Sequence, residues 1–236
     1  MALKTTVGAF NSSSYVTATE ADEYFRGKYD TSNWDGLSRA DKEALLRGAC
    51  NEIDLGNYAG DLYYERQALQ FPRSDHVVIE GACASPDTAK FKHTEVHDTE
   101  YGETPINWLK HGSIHFTTAT LFGETYVIAS NDTSDFVYTA STFSSAPTTT
   151  TNFIIFSPID KEIKDAQCEQ AINRLDNNLD FYAEARALGI YDIQVGDVMA
   201  RVRGRQDNRA VPVMCMRARK LMSRYFRGPN TKIARA

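Results

Sequence analysis

All five histidines of this chain, His76, His93, His97, His111 and His115, fall between positions 76 and 115. Two pairs have the H-x-x-x-H spacing that, on a helix, sets both rings on one face and suits zinc. The pair in "HGSIH" carries a glycine and leads into alternating residues. In a strand, positions four apart stand about 13 Å apart, too far to share an ion. The pair in "HTEVH" fits a helix but lacks the HExxH form and has no evident third ligand, so the histidines read as exposed or loop residues. Asp160, Glu162 and Asp165 could serve as a nuclease-type metal cluster. Acids in the first turns of a helix are, however, expected from capping and the helix dipole, so they read as structural or subunit-contact residues. The sequence contains no GxSxG elbow, no GxxxxGK[ST] loop and no GxGxxG turn. The expectation is a protein without catalytic residues, metal or cofactor.

The cations point to recognition instead. Residues 201–236 hold eleven Lys/Arg and one acid, Asp207, while the rest holds fifteen basic and thirty acidic residues, for a net charge of −5. Such segregation implies a cationic tail that meets an anionic partner: nucleic acid, an acidic protein or the acidic body of a neighbouring copy. "IYDIQVGDVMARVRGRQ" alternates and reads as extended, with Arg201, Arg203 and Arg205 on one side. "VPVMCMRARKLMSRYFRG" reads as a basic helix bearing Arg217 and Arg219. A single-strand binder needs aromatic platforms beside its cations. Tyr225 and Phe226 instead share an apolar face with Leu221 and Met222, which favours core or interface packing.

These residues must be positioned by elements that the pattern also indicates. At 42% hydrophobic and 24% charged, the composition is that of an ordinary folded chain of one or two domains. No apolar run approaches the roughly 20 residues of a membrane helix, so no membrane partner is expected. "MALKTTVGAF" is too short and polar for a signal peptide. Cys50, Cys83, Cys168 and Cys215 stand far apart and read as buried free thiols. Thr17 with Glu20 forms a capping box that predicts a helix to about Tyr29. Ser38 caps a second helix with Leu45, Ala49 and Ile53 as its stripe, ending near Gly56. Phe71, before Pro72, is expected to be extended and anchored by its ring. From His76 to Phe156, "GSIHFTTATLFGETYVIAS", "SDFVYTA" and "NFIIFS" read as strands.

At "SPIDKEIKDAQCEQ" the character changes. Ser157 as cap, Pro158 at the first helical position and Asp160 in the first turn predict a helix running to about Gly189. Its apolar residues change side, with Ile159, Ile163 and Ala166 on one face and Cys168, Ile172, Leu175 and Leu179 on another. That suits a helical bundle or packing between subunits. The expected fold class is α+β. Residues 1–75 and 157–189 form a helical core, a β-rich sandwich or barrel-like domain is inserted at 76–156, and 190–236 form a basic C-terminal arm and helix.

"SYVTATEADEYFRGKY", a Trp, "ADKEALLRGACNEID", "ALQFPRS" and then "SPIDKEIKDAQCEQAINRL" together resemble the head–tail connector, or adaptor, proteins of tailed phages. Related sequences are also labelled DnaT-like single-stranded-DNA-binding proteins. The resemblance covers residues 15–74 and 157–182, with a weaker echo in the arm. It implies a helical-bundle adaptor core that forms a ring, a dodecamer, beneath the portal protein at the virion neck, assembled in the host cytoplasm. Packaged double-stranded DNA would pass through the ring, and a tail, stopper or nozzle protein would dock below it. It also implies that the C-terminal arm grips the portal, which here points to Arg201, Arg203, Arg205, Arg217, Arg219, Tyr225 and Phe226. Asp160, Glu162, Asp165, Ile172 and Leu175 would serve subunit contact. The inserted β domain, which has no counterpart in the resemblance, is expected to face outward. The alternative is a single-stranded-DNA-binding replication protein.

Overall fold

The computed structural model describes residues 2–28, 31–63, 67–93, 96, 107–177, 192–195, 198–201 and 214–226. The protein is α+β. Helix α1 (Ala18–Arg26) starts with the capping box expected of Thr17 and Glu20. Helix α2 (Ser32–Asp35) is a single turn that buries Trp34 against Phe25, with ring centroids 4.7 Å apart. Helix α3 (Arg39–Asp54) is capped by Ser38, whose hydroxyl accepts from the Asp41 N–H. Its buried face is broader than one stripe, because Leu46 and Ala49 turn to one apolar cluster and Cys50 and Ile53 to another.

Helix α4 (Lys161–Asn177) lies between those two clusters. Ile163 and Ala166 enter one, while Cys168 and Ala171 enter the other. The change of side seen in the sequence is therefore satisfied within a single chain. The helix starts later than expected. The Asp160 carbonyl accepts from Ile163 and Lys164, whereas the Ser157 N–H donates to the His76 carbonyl at 2.9 Å. Asp160 is therefore the cap, and Ser157 continues the strand pairing that precedes it. The expected stretch from 178 to 189 lies outside the described residues.

Six strands form one antiparallel sheet: β1 (Val77–Ala82), β2 (Lys90–Lys92), β3 (Ser113–Phe116), β4 (Thr125–Asn131), β5 (Phe136–Thr139) and β6 (Asn152–Phe156), in the order β1-β6-β3-β4-β5-β2. The sheet curls on itself. Just past β1, Ala84 exchanges two backbone hydrogen bonds with Lys92 of β2, at 2.8 and 2.6 Å, which joins the two edges. Closure removes the unpaired edges an open sheet would present. The interior is apolar, with Phe91, Ile114, Phe116, Leu121, Ile128, Val137, Phe153 and Ile155 all buried.

Strand β6 joins the two halves of the molecule. Phe153 and Ile155 point into the sheet's interior, while Ile154 and Phe156 point into the helical core with Val7, Tyr15 and Ile53. The unbroken apolar run "FIIF" is what a strand buried on both faces requires. Gly112 allows this approach: a Cβ there would sit 2.4 Å from the Phe156 carbonyl oxygen.

Two further elements follow. Strands β7 (Asp192–Val195) and β8 (Val198–Arg201) pair as an antiparallel hairpin, where the alternation alone reads as one extended stretch. Helix α5 (Met216–Leu221) and the 3-10 turn after it pack on α4, burying Met214, Ala218 and Met222. Within the segment expected as a basic arm and helix, 190–236, residues 214–226 pack against the core, because their apolar face needs cover.

Candidate functional site

The polar side chains of α4 form a connected cluster that reaches several other elements. Gln167 is fully buried. Its Oε1 accepts from the Tyr15 N–H at 2.9 Å, and its Nε2 donates to Ser14 Oγ at 2.7 Å and to the Leu46 carbonyl at 2.8 Å. Gln170 donates to Glu52 Oε2 at 2.5 Å and accepts from the Cys215 N–H at 2.7 Å. Arg174 completes the Glu52 contact from the next turn. On the other side, Glu169 receives the Tyr24 hydroxyl at 2.7 Å and the Lys28 ammonium. Burial pushes the Glu169 carboxyl up, but the bonds from Lys28 and Tyr24 outweigh it and hold the group below its usual range. Lys164 reaches Glu20, the capping residue of α1, at 2.5 Å.

One helix thus bonds the N-terminal segment, α1, α3 and the segment leading into α5. Its partners are the residues that carry the sequence motifs, so pieces on either side of the sheet meet in space. Sequence reading missed Glu52, Gln167, Gln170 and Arg174 as a set. The signal was present in "AQCEQAINR", where polar residues recur at helical spacing on every face and leave none purely solvent-facing.

A second cluster joins the basic C-terminal segment to the start of α4. The Tyr225 hydroxyl donates to Asp160 Oδ2 at 2.6 Å, and Arg224 donates to Asp160 at 3.0 Å and to Glu162 at 3.2 Å. Phe226 stacks on Tyr58 with centroids 5.3 Å apart, and Tyr225 meets Phe71 edge-on at 5.4 Å. Phe71 is anchored by its ring as expected, and the Phe71–Pro72 bond is cis. Arg217 is exposed, 3.6 Å from Glu169, and Arg219 is exposed. Among the described residues, then, two of the tail's cations, Arg217 and Arg224, meet acids at the start of α4 or along it. Asp165 is half-buried, and burial raises its pKa. Ile172 packs against the α1–α3 cluster, and Leu175 is half-buried. Arg201 lies in β8, while its side chain and residues Arg203 and Arg205 lie outside the described residues.

The histidines are not all exposed or in loops. His76 is buried in a 3-10 turn beside Asp75 and 3.8 Å from Asp160. His115 lies in β3, where burial lowers its pKa to about 4. His93 is half-buried, His111 is exposed, and His97 lies outside the described residues. Among the described residues no three His, Cys, Asp or Glu side chains converge as a metal site would require.

The class defined by this geometry is a mixed helix-and-sheet protein whose connected polar groups hold its own elements together. Residues 1–89 match the model of a family described as "Putative DnaT-like ssDNA binding protein". No curated protein and no solved structure matches the chain.

Proposed function

We propose that the protein is a neck component of a tailed phage, a connector that forms a ring on the portal and bridges it to the tail. One observation carries the proposal. The pieces that resemble adaptor proteins, on either side of the sheet, meet around α4 through Gln167–Tyr15, Lys164–Glu20 and Glu169–Tyr24. A compact acidic module whose polar groups bond inward suits adhesion and spacing better than turnover. Arg201, Arg203, Arg205 and the exposed Arg219 would meet the portal. The test is co-sedimentation with portal-bearing filled heads, comparing the wild type with Arg201→Ala/Arg203→Ala/Arg205→Ala. The wild type should bind and the triple variant should lose at least about tenfold in affinity, about 1.4 kcal/mol. Equal binding would count against the arm.

The family match favours a second reading, single-stranded DNA binding. Against it, Tyr225 and Phe226 are occupied by Asp160 and Tyr58, and Arg224 is paired with Asp160 and Glu162. Titrating labelled single-stranded DNA across salt separates the two readings. Tight binding with a steep salt slope would support the second.

A further inference from the structure

Large apolar side chains left in water cost about 1.5–3 kcal/mol each relative to burial, so a pair of them on one groove marks a contact surface. Phe10 and Phe122 are 68% and 75% exposed, and both line a groove of about 830 Å³ between the N-terminal loop and the curled sheet. Phe116 and Tyr63 also line it. Neither phenylalanine is on a loose end. Phe122 stands at the tip of the β3–β4 connection, where Gly123 takes φ +80° and donates its N–H to the Phe116 carbonyl at 2.8 Å. Phe10 follows a turn closed by Ala9 N–H to the Thr6 carbonyl at 3.2 Å.

The chemistry of the groove narrows its occupant. Among the described residues that line it, Glu124 is the one carboxylate and no Lys or Arg is present; Lys4 belongs to the adjoining hollow. Glu124 is held in place by the hydroxyls of Tyr126 and Ser144. The complementary feature, an exposed apolar side chain flanked by cations, occurs on this same chain. Met216, at the start of α5, is 88% exposed and is followed by the exposed Arg217 and Arg219. A contact between the groove of one copy and the methionine of another pairs two different patches, and in a head-to-tail arrangement such a contact repeats into a ring or a filament.

We infer that the Phe10–Phe122 groove is a socket for the Met216 edge of α5 on a second copy, with Glu124 facing Arg217 and Arg219. This rests on the ring reading above and gives that ring a contact surface partly supplied by the inserted sheet.

Cysteine trapping tests it in full-length chains carrying Cys215→Ser, which keeps a capping side chain at α5 and removes the native thiol beside Met216. Chains with Phe122→Cys are mixed with chains carrying Met216→Cys and mildly oxidised. A second mixture replaces Met216→Cys with Thr133→Cys, an exposed position on the β4–β5 turn. The first mixture should give at least about tenfold more mixed disulfide, the ratio set by about 1.4 kcal/mol of contact energy. Glu124→Lys should abolish the excess, and Arg217→Glu/Arg219→Glu on the other partner should restore it. Equal yields from the two mixtures overturn the inference. So does a monomer in which removing residues 227–236 unmasks the Phe122→Cys thiol, which would assign the groove to the chain's own terminus. Presence of the chain in virus particles without trapping would keep the ring and reject this contact.

Discussion

Two half-buried titratable side chains give the molecule opposite responses to pH. Burial raises the Asp54 carboxyl from its ordinary 3.8 to about 6, despite hydrogen bonds from the Tyr15 hydroxyl and the Gln70 N–H. The folded state keeps a proton that the unfolded chain has released, so this group's stabilising contribution is full below pH 3.8 and is lost as the pH rises through about 6. His115 is the reverse. Its pKa falls from 6.5 to about 4, so its contribution is present above pH 6.5 and is lost as the pH falls through about 4. Asp54→Asn keeps an acceptor for Tyr15 and removes one arm of the profile. Its urea midpoint should gain on that of the wild type between pH 4 and 7, and parallel profiles would contradict the assignment. Gln167→Ala should be more costly than Asp54→Asn, because it strips partners from the buried Tyr15 N–H, the Ser14 hydroxyl and the Leu46 carbonyl. A loss of about 1–3 kcal/mol in denaturant unfolding is expected.

At the scale of elements, β6 and α4 decide the architecture, and each was only half legible. "NFIIF" announces a strand, but nothing local says that its alternate residues serve two cores. That follows from Phe156 meeting helices that are distant in sequence. The capping box of α1, the Ser38 cap and the change of side along α4 were readable because local hydrogen bonding and helical periodicity generate them. The start of α4 was misplaced because Ser157 is a good cap in isolation, yet its N–H is taken by the His76 carbonyl. The partners of the inward-bonded glutamines were illegible because Tyr15, Leu46 and Glu52 lie more than a hundred residues away in the chain. Phe156→Ala should therefore cost about 3–5 kcal/mol and affect both halves in one unfolding transition. Two separate transitions would mean that the sheet and helices fold independently. Truncation before Met214 should likewise destabilise the body by several kcal/mol, since it removes Met214, Ala218 and Met222 from the core. An unchanged melting temperature would contradict that packing.

For the whole molecule, charge and connectivity point in the same direction. Arg224 is paired within the chain, and Arg217 approaches its own Glu169. Fewer cations are therefore left for an outside partner than the sequence total implies. Labelled single-stranded DNA should accordingly bind weakly at physiological salt, and a steep salt slope with tight binding would reverse the order of the two functional readings. The most direct measurement is quantitative mass spectrometry of purified tailed particles made with this protein. The chain should be present in a fixed whole-number ratio to the portal protein, and its absence from intact particles would contradict the connector assignment.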